Sequence, residues 1–380
     1  MPDLLVAGDF FLDPSHVGAG PIEKLFSERL LTFIKSHQYS IVNFEAALGE
    51  GQRPAAKSGP NLSMSKESSE IPLELGFNIM TLGNNHAMDY GGAGLQATLD
   101  FFDQRGIPTI GAGASREAAS VPLKLRCQGK SILVFNFCHN EWGVAGQNIP
   151  GVNGLNLAQN LSAMREARLE ADIIIVITHM GHEYSRFQTP LVKSCLEAFA
   201  EAGADFVINH HPHVVGGRII HNGSVIFSSI GNFFFSSSIT AGPAETRSGL
   251  LVSLSFPENS SPSMELVPIF WDADASMLDL MTGPSIDDWF EQFEETSAAF
   301  ADPVRTRHCL DELLRARRRE YSARLEPTNN IVFRALRKAG IFDSLWPRAR
   351  KYALLNVIRC ETHREILIHM LEEELKGGGK

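Results

Sequence analysis

The sequence predicts an α/β protein in which helices cover layered β-sheets, and three observations support this prediction. Apolar runs of strand length alternate with segments of helical periodicity between residues 4 and 208. Further apolar runs at 225–232, 249–256 and 266–271 follow without helices between them. Potential metal ligands stand directly after several of the strands. Strand–helix alternation followed by extra strands is typical of a layered sandwich.

The early strands are apolar runs bounded by turn residues, and they are predicted at 4–9, 39–45, 77–82 and 107–111. A β-hairpin is predicted for 121–126 and 131–137, because Gln128-Gly129-Lys130 provides the turn. Two later strands, at 172–178 and 205–208, are strongly apolar, as expected for buried strands. Helical periodicity appears at 23–36, 94–104, 158–170 and 190–202. Residues 49–66, rich in Gly, Pro, Ser and Lys, predict a loop.

The pattern changes after residue 284, where the strand-like runs stop. Helices are predicted at 285–300, 304–325, 330–339 and 351–375, with Pro303, Pro327 and Pro347 between them. We therefore expect two parts, a sandwich domain over 1–284 and a helical, basic C-terminal extension over 302–380, with the boundary near 284–302.

Composition indicates a globular protein of a reducing compartment. Of the 380 residues, 44% are hydrophobic and 21% are charged. The five cysteines are scattered and have no CxxC spacing, which argues against a disulfide framework or a thiolate zinc site. The N-terminus lacks a basic n-region, and no apolar run reaches the about 18 residues of a membrane span. We expect a cytoplasmic protein, peripheral to the membrane at most, without a transmembrane segment.

Charge is distributed unevenly along the chain. Residues 302–380 hold 17 Lys and Arg against 11 Asp and Glu, a balance of +6. The formal net charge of the whole chain is −10, so residues 1–301 have a net charge of −16. An acidic body repels nucleic acid and anionic substrates unless bound cations invert the local field. The basic run at 315–319 has acidic residues nearby, which is typical of a solvated helix face. No nucleic-acid partner is expected.

The segment Asn209-His210-His211-Pro212-His213 concentrates three imidazoles directly after a predicted buried strand. Proline fits poorly in a helix interior or a central strand, so the run is expected on the loop at the strand's C-terminal end, where open α/β sheets place their sites. Imidazole is the commonest side-chain metal ligand. The alternative is a surface histidine cluster.

Potential ligands also follow four other strands. The complete set is Asp9, Glu45, Asn85 with His86, His179, and His211 with His213. Singly, a strand-end Asp is more often a turn former and a lone His is more often structural. Together they favour a metal site, and the oxygen and imidazole donors suit Mn, Fe, Zn, Co or Ni. A bridging carboxylate with flanking histidines can hold two cations about 3.5–4 Å apart and support displacement at phosphorus.

Six stretches occur in an order that resembles a known family. They are Gly8-Asp9, Asn43-Phe44-Glu45, Gly83-Asn84-Asn85-His86-Ala87-Met88-Asp89-Tyr90-Gly91, His179-Met180-Gly181-His182-Glu183-Tyr184, His210-His211-Pro212-His213 and Ser229-Ile230-Gly231-Asn232-Phe233. Over residues 4–272 the chain resembles the CapA poly-γ-glutamate capsule-biosynthesis family, a branch of the calcineurin-like metallophosphoesterases. The resemblance implies a four-layer α/β/β/α metallophosphoesterase-like sandwich. It also implies a bacterial metal-dependent phosphoesterase or hydrolase associated with capsule or exopolymer synthesis.

The resemblance also implies residue roles. Glu45 matches the bridging acid, and His86 matches the catalytic histidine that contacts the phosphoryl group and protonates a leaving oxygen. The ligands of one metal would be Asn85, His179 and His211, and those of the other Asp9 and His213. Residues implied to orient ligands or contact substrate are Asn84, Asp89, His182, Glu183, His210 and Asn232. Asp89 could equally be a helix N-cap.

One departure from the wider superfamily affects metal binding. The first motif there is Asp-x-His, whereas this chain has Asp9-Phe10-Phe11. Phe11 cannot bind a metal, so the site is expected to hold one or two divalent ions.

Two functional classes remain open at this point. Retention of His86 favours an enzyme acting on a phosphorylated or anionic polymer-related substrate, whereas Phe11 favours a non-catalytic accessory or binding subunit of a capsule-polymer assembly with a structural metal. The apolar residues of the extension either pack as a flank on the body or form an interface with capsule-synthesis proteins, a second copy of the chain or a membrane surface. We expect the extension to mediate association.

Overall fold

The computed structural model describes residues 3–13, 24–236, 242–258, 260–272, 277–325 and 348–377. The strands are β1 (Leu4–Leu12), β2 (Tyr39–Phe44), β3 (Ala47–Leu48), β4 (Ser63–Met64), β5 (Ile79–Thr81), β6 (Thr109–Ile110), β7 (Ala112–Gly113), β8 (Leu123–Cys127), β9 (Lys130–Cys138), β10 (Gly151–Val152), β11 (Ile173–His179), β12 (Phe206–His210), β13 (Arg218–His221), β14 (Ser224–Phe227), β15 (Asn232–Ser236), β16 (Ser248–Ser255), β17 (Ser263–Asp272) and β18 (Met277–Leu280). The helices are α1 (Glu28–Lys35), α2 (Lys66–Leu75), α3 (Gly91–Asp103), α4 (Arg116–Ser120), α5 (Leu157–Ala167), α6 (Pro190–Glu201), α7 (Ser285–Ala301), α8 (Pro303–Leu325), α9 (Arg348–Arg359) and α10 (Glu361–Gly377).

Two large sheets form the body. The first sheet has the order β18-β17-β16-β1-β2-β5-β6, and β15 also pairs with β1. The second sheet has the order β13-β14-β12-β11-β9-β8. Strands β1, β2, β5 and β6 are parallel, as are β9, β11, β12 and β14. The carboxyl ends of parallel strands lie at one edge of each sheet, which is where ligands can be collected.

The apolar residues divide into layers that confirm the predicted sandwich. One buried cluster joins the inner faces of the two sheets, with Val6 and Ile41 from the first sheet and Ile175 and Ile208 from the second. A second cluster lies between the first sheet and α1 to α3. A third cluster lies between the second sheet, α5 and α6. Each helix and each sheet thus buries its apolar face, which gives four α/β/β/α layers.

The predicted strand over 225–232 is wrong, because the segment divides into β14 and β15 in different sheets. β14 pairs with β12, whereas β15 pairs with β1 in parallel from Asn232 onward. Gly231 connects them with a φ of +70°, which a strand residue with a side chain adopts at a steric cost. The chain therefore crosses from one sheet to the other directly beside the predicted metal ligands.

Helix α2 is absent from the predicted elements, and it contains Pro72, a residue that disfavours a helix interior. The helix forms nonetheless. Ser65 caps its N-terminus by accepting from the backbone of Ser68, and Gly76 ends it with a φ of +109°. The predicted loop over 49–66 also contains β4. Strands β13 and β18 and helix α4 are likewise outside the predicted set.

The C-terminal helices that the structure describes agree with prediction in type, but one predicted helix is divided into two. The helix predicted over 351–375 is divided at Cys360 into α9 and α10. The helix predicted over 330–339 lies outside the described residues. Helices α8, α9 and α10 share a small apolar cluster, and α8 and α10 contact α6 of the body. Among the described helices, none is long and apolar enough to span a membrane.

Candidate metal centre

The predicted ligands lie together where the two sheets face each other. His179 is the last residue of β11, Glu45 directly follows β2, and His211 directly follows β12. Asp9 differs from the prediction, because it lies inside β1 rather than after it. Pairing with β15 extends β1, and register shifts on both sides of Asp9 mark irregular pairing at the position of its carboxylate.

Asn85, His179 and His211 form one donor set. The His179 Nε2 lies 3.0 Å from Asn85 Oδ1 and 3.1 Å from His211 Nδ1. The same Nε2 lies 3.5 Å from the Glu45 Oε1. Two nitrogens and two oxygens from four separate segments therefore point at one small volume, as the ligands of a single cation do.

Asp9 and His213 form a second donor set on the other side of Glu45. His213 Nε2 lies 3.7 Å from Glu45 Oε1, and its Nδ1 lies 3.4 Å from Asp9 Oδ2. Phe11 packs its ring 5.2 Å from Phe235, and the Phe235 ring lies 4.8 Å from His213. Apolar rings thus border this set. It has one imidazole fewer than the first.

Two of the predicted ligands, His211 and His213, adopt strained backbone conformations. His211 has a φ of +91° and His213 a φ of +59°. Positive φ is uncommon for residues with a side chain and costs of order 1–3 kcal/mol, and it persists where the surroundings enforce it. The strained segment holds the two rings with their centroids 6.0 Å apart.

Glu45 is the electrostatic centre of the site. It is fully buried, and neither carboxylate oxygen has a hydrogen-bond partner among the described residues. Burial, with Asp9 nearby, raises the pKa of Glu45 well above its usual range. A buried carboxylate without partners is costly, and a cation beside it removes that cost.

Three of the other donors are in the protonation states that metal binding requires, whereas His213 is not. Burial opposes protonation of His213, but Glu45 and Asp9 raise its pKa to about 10, so a bound cation would displace a proton from this ring. Burial lowers the pKa of His179 and of His211 well below the usual value, which favours neutral imidazole, the form that binds metals. Burial works against ionisation of Asp9, yet hydrogen bonds from His210 and His213 hold its pKa well below the ordinary range. The donor set therefore fits divalent cations.

His86 is held at the edge of the site by two charged side chains. Its Nδ1 donates to Asp89 Oδ2 over 2.6 Å, and its Nε2 faces Glu45 Oε1 at 3.9 Å. Lys57 pairs with Asp89 and places its Nζ 3.3 Å from the same Nδ1. The N-cap alternative for Asp89 is wrong, because the N-cap of α3 is Tyr90.

Three predicted positioning residues contact ligands or their loops. Asn232 Oδ1 lies 2.9 Å from His213 Nδ1, and His210 Nδ1 lies 3.2 Å from Asp9 Oδ1. Asn84 holds the loop, because its Oδ1 accepts from the backbone of His86 at 3.1 Å. All three are buried.

The remaining two predicted residues lie further out. His182 contacts the backbone oxygen of Glu183 through Nδ1 and has its ring 6.0 Å from that of His363. Glu183 acts on the site through charge, since it contributes to the raised pKa of Glu45.

Several residues near the site were not among the predicted ones. Asn43 donates to Asp9 Oδ1 at 2.7 Å and lies 3.3 Å from His179 Nδ1. Lys57 stands in a Gly- and Pro-rich loop, where no local pattern singles it out. His139 directly follows β9 and has its ring 4.5 Å from that of His211. The strand-end criterion that selects the other ligands would have selected His139 too.

Comparison with known proteins gives a family match and several relatives. The family of bacterial capsule synthesis proteins denoted PGA_cap matches residues 3–237. The chain is 32% identical over 212 residues to the PGA biosynthesis protein CapA of Bacillus subtilis, covering 55% of each chain. It is 28% identical over 246 residues to the capsule biosynthesis protein CapA of Bacillus anthracis, covering 62% of this chain and 59% of that one. The chain thus matches little more than half the length of these relatives.

Among solved structures, the chain is similar to the sulfate thiohydrolase SoxB of Thermus thermophilus in complex with glycerol. The identity is 10% and the TM-score 0.42, over 70% of this chain and 56% of that chain. The family match covers more than half of the described chain and includes every predicted ligand. The chain belongs to the bacterial capsule synthesis protein family PGA_cap.

Proposed function

We propose that the chain is a metal-dependent hydrolase of phosphoester bonds that acts in the synthesis of a capsule or exopolymer of the poly-γ-glutamate type. The observation that carries the proposal is the buried Glu45 carboxylate, which lies between two donor sets without a hydrogen-bond partner among the described residues. A carboxylate in that position fits a bridge between two divalent cations.

One cation would be held by Asn85, His179 and His211 with Glu45, and the other by Asp9 and His213 with Glu45. Bound there, divalent cations supply Lewis acidity toward water and phosphoryl oxygens. They would also offset the acidic body, which carries a formal charge of −16 over residues 1–301 and would otherwise repel an anionic, polymer-related substrate.

His86 supplies the proton in this proposal. Asp89 fixes its Nδ1, so Nε2 is the ring nitrogen directed at the site, 3.9 Å from Glu45. A proton held at Nε2 can pass to the leaving oxygen when the phosphoester bond breaks. Lys57 orients this pair and adds a buried positive charge beside it.

A second function is favoured by one observation. Phe11 occupies the place of an imidazole, and the Asp9–His213 set is bordered by phenylalanine rings. A single ion in the His179–His211 set would then serve as a structural element of a non-catalytic capsule-assembly subunit.

Metal content and hydrolysis of nitrophenyl phosphomonoesters and phosphodiesters, with and without chelator, test the two functions on the full chain. His86→Asn is expected to lower turnover about 10²–10⁴-fold at unchanged metal content. The control His221→Asn alters a partly exposed histidine on β13, paired with Glu201, and should behave as wild type. Metal-loaded protein that hydrolyses none of these esters faster than His86→Asn would support the accessory function. Loss of metal in His86→Asn would make His86 a ligand.

A further inference from the structure

A second cluster of metal-binding side chains joins the sandwich to the C-terminal helices. His139 and Glu141 follow β9, whereas Cys360 and His363 stand at the break between α9 and α10. One ligand atom from each of His139, Glu141 and Cys360 lies within 4.8 Å of the other two. All three are buried, and His363 is nearly so.

Two separations in this cluster are too long for direct N–H···O hydrogen bonds. Glu141 Oε2 lies 3.6 Å from His139 Nε2, and Glu141 Oε1 lies 3.7 Å from His363 Nδ1, whereas such bonds fall at about 2.7–3.2 Å. The Cys360 Sγ lies 3.7 Å from His139 Nδ1, which is within reach of a hydrogen bond to sulfur. Ligands of a tetrahedral zinc ion, with bonds of about 2.0–2.3 Å, stand roughly 3.3–3.6 Å apart.

One buried atom supports this interpretation independently. The Nε2 of His139 has no hydrogen-bond partner among the described residues, although the side chain is fully buried. Buried ring nitrogens are normally satisfied, and an unsatisfied one calls for an explanation such as an ion.

The ligand types also match a divalent cation. One thiolate and one carboxylate balance a charge of +2, and the two imidazoles bind a metal in their neutral form after losing a proton.

We propose that His139, Glu141 and Cys360 bind a zinc-type divalent cation, and that His363, which lies 3.7 Å from Glu141, moves in to complete a four-coordinate structural site. Four protein ligands of the S, N, N and O types would then form a tetrahedral sphere, which is the arrangement of structural rather than catalytic zinc. The expectation from cysteine spacing that the chain lacks a thiolate zinc site is then incomplete, because the single thiolate is combined with ligands from distant segments.

The site explains why the helix predicted over 351–375 is broken at Cys360. The break turns Cys360 toward the body and starts α10 with Glu361, which accepts from Asn140 over 2.6 Å and 3.0 Å. Asn356 of α9 donates to Glu141 at 2.8 Å. A cation there would link the extension to the sandwich. His139, whose ring lies 4.5 Å from that of His211, would connect this link to the first donor set.

Cobalt substitution in the full chain distinguishes this site from the centre around Glu45. The Glu45 centre contains no sulfur ligand, so a thiolate-to-Co²⁺ charge-transfer band in the near ultraviolet can arise only at a cysteine. We expect the band in wild type and in His213→Asn. In Cys360→Ser we expect the band to disappear and the bound Co²⁺ to fall by one equivalent. Cys127→Ser, which removes a buried cysteine of the β-hairpin, should keep the band.

Glu141→Gln provides a second variant if Cys360→Ser does not fold. It keeps the thiol, so its band should weaken or shift, and its Co²⁺ affinity should fall. Absence of the band in Co²⁺-titrated wild type, or its persistence in folded Cys360→Ser, would overturn the proposal and leave a metal-free thiolate–imidazole cluster. Neither outcome depends on hydrolytic activity, so the hydrolase proposal and this one can fail separately.

Discussion

The substitution Glu45→Gln should destabilise the metal-loaded protein and leave the metal-free protein nearly unchanged. It preserves the size of the side chain and removes its ability to ionise beside a cation. Substitution of an ordinary buried structural residue would instead shift both states by a similar amount.

In the metal-free protein, we expect Glu45→Gln to change the stability of the fold little. Burial, with Asp9 nearby, raises the pKa of Glu45 well above its usual range, so the neutral acid is favoured when no cation is bound. The amide is also neutral and polar and would be buried without partners at the same place, so either group costs on the order of 1–3 kcal/mol. The melting temperature in chelator should therefore stay close to that of wild type.

In the metal-loaded protein, the same substitution should weaken binding. Loss of an outer-shell partner typically lowers metal affinity about 10–100-fold. Glu45 lies 3.5 Å from His179 and 3.7 Å from His213, one in each donor set, so its loss should exceed that factor. The stabilisation by bound metal then falls by at least about 1.4–2.7 kcal/mol.

Thermal unfolding with chelator and with saturating Mn²⁺ or Zn²⁺ measures both effects, and titration with the same ions measures affinity. Glu70→Gln, which alters a surface carboxylate paired with Arg105, is the control and should leave both melting temperatures unchanged. Equal shifts of the two melting temperatures in Glu45→Gln would refute the bridging role.

Three further predictions follow from contacts around the centre and in the core. Lys57→Met removes the lysine that pairs with the buried Asp89 carboxylate. The free energy of unfolding in urea should therefore fall by about 3–5 kcal/mol, and turnover should fall while metal is retained. Phe11→His should raise the bound metal by up to one equivalent in elemental analysis, since it adds an imidazole near the Asp9 set; unchanged stoichiometry would show that geometry, not the missing ligand, limits binding. Burial lowers the pKa of His37, so its neutral form stabilises the fold above about pH 6.5 and this stabilisation is lost as the pH falls. His37→Gln should flatten the unfolding profile between about pH 7 and 5, whereas the exposed His308→Gln should retain the wild-type slope.

The predicted strands succeed where the signal is local. The turn at Gln128-Gly129 joins β8 and β9 as expected, because positive φ at both residues suits a tight hairpin. The strand predicted over 225–232 is wrong because the local pattern does not show where the chain changes sheets. Its apolar run continues through the point where Gly231 redirects the chain, and a continuous run does not show which sheet each half joins.

The candidate ligands of the metal centre were also accessible from the sequence. His179 and His211 end apolar strands, and parallel strands bring their carboxyl ends to one edge of a sheet. The pairing of the donor sets on either side of Glu45, and the strained backbone of His211 and His213, depend on the packing of one sheet on the other.

By itself, the sequence predicted the sandwich and the candidate ligands, because apolar periodicity and polar residues at strand ends can be recognised within a few neighbouring positions. Only the tertiary structure decided which distant groups meet. Lys57 reaches His86 across 29 positions, and Cys360 reaches His139 across 221. Such contacts arise from the packing of separate elements and leave no periodic trace in either segment. The second cluster therefore became visible only when the C-terminal helices were seen against the body.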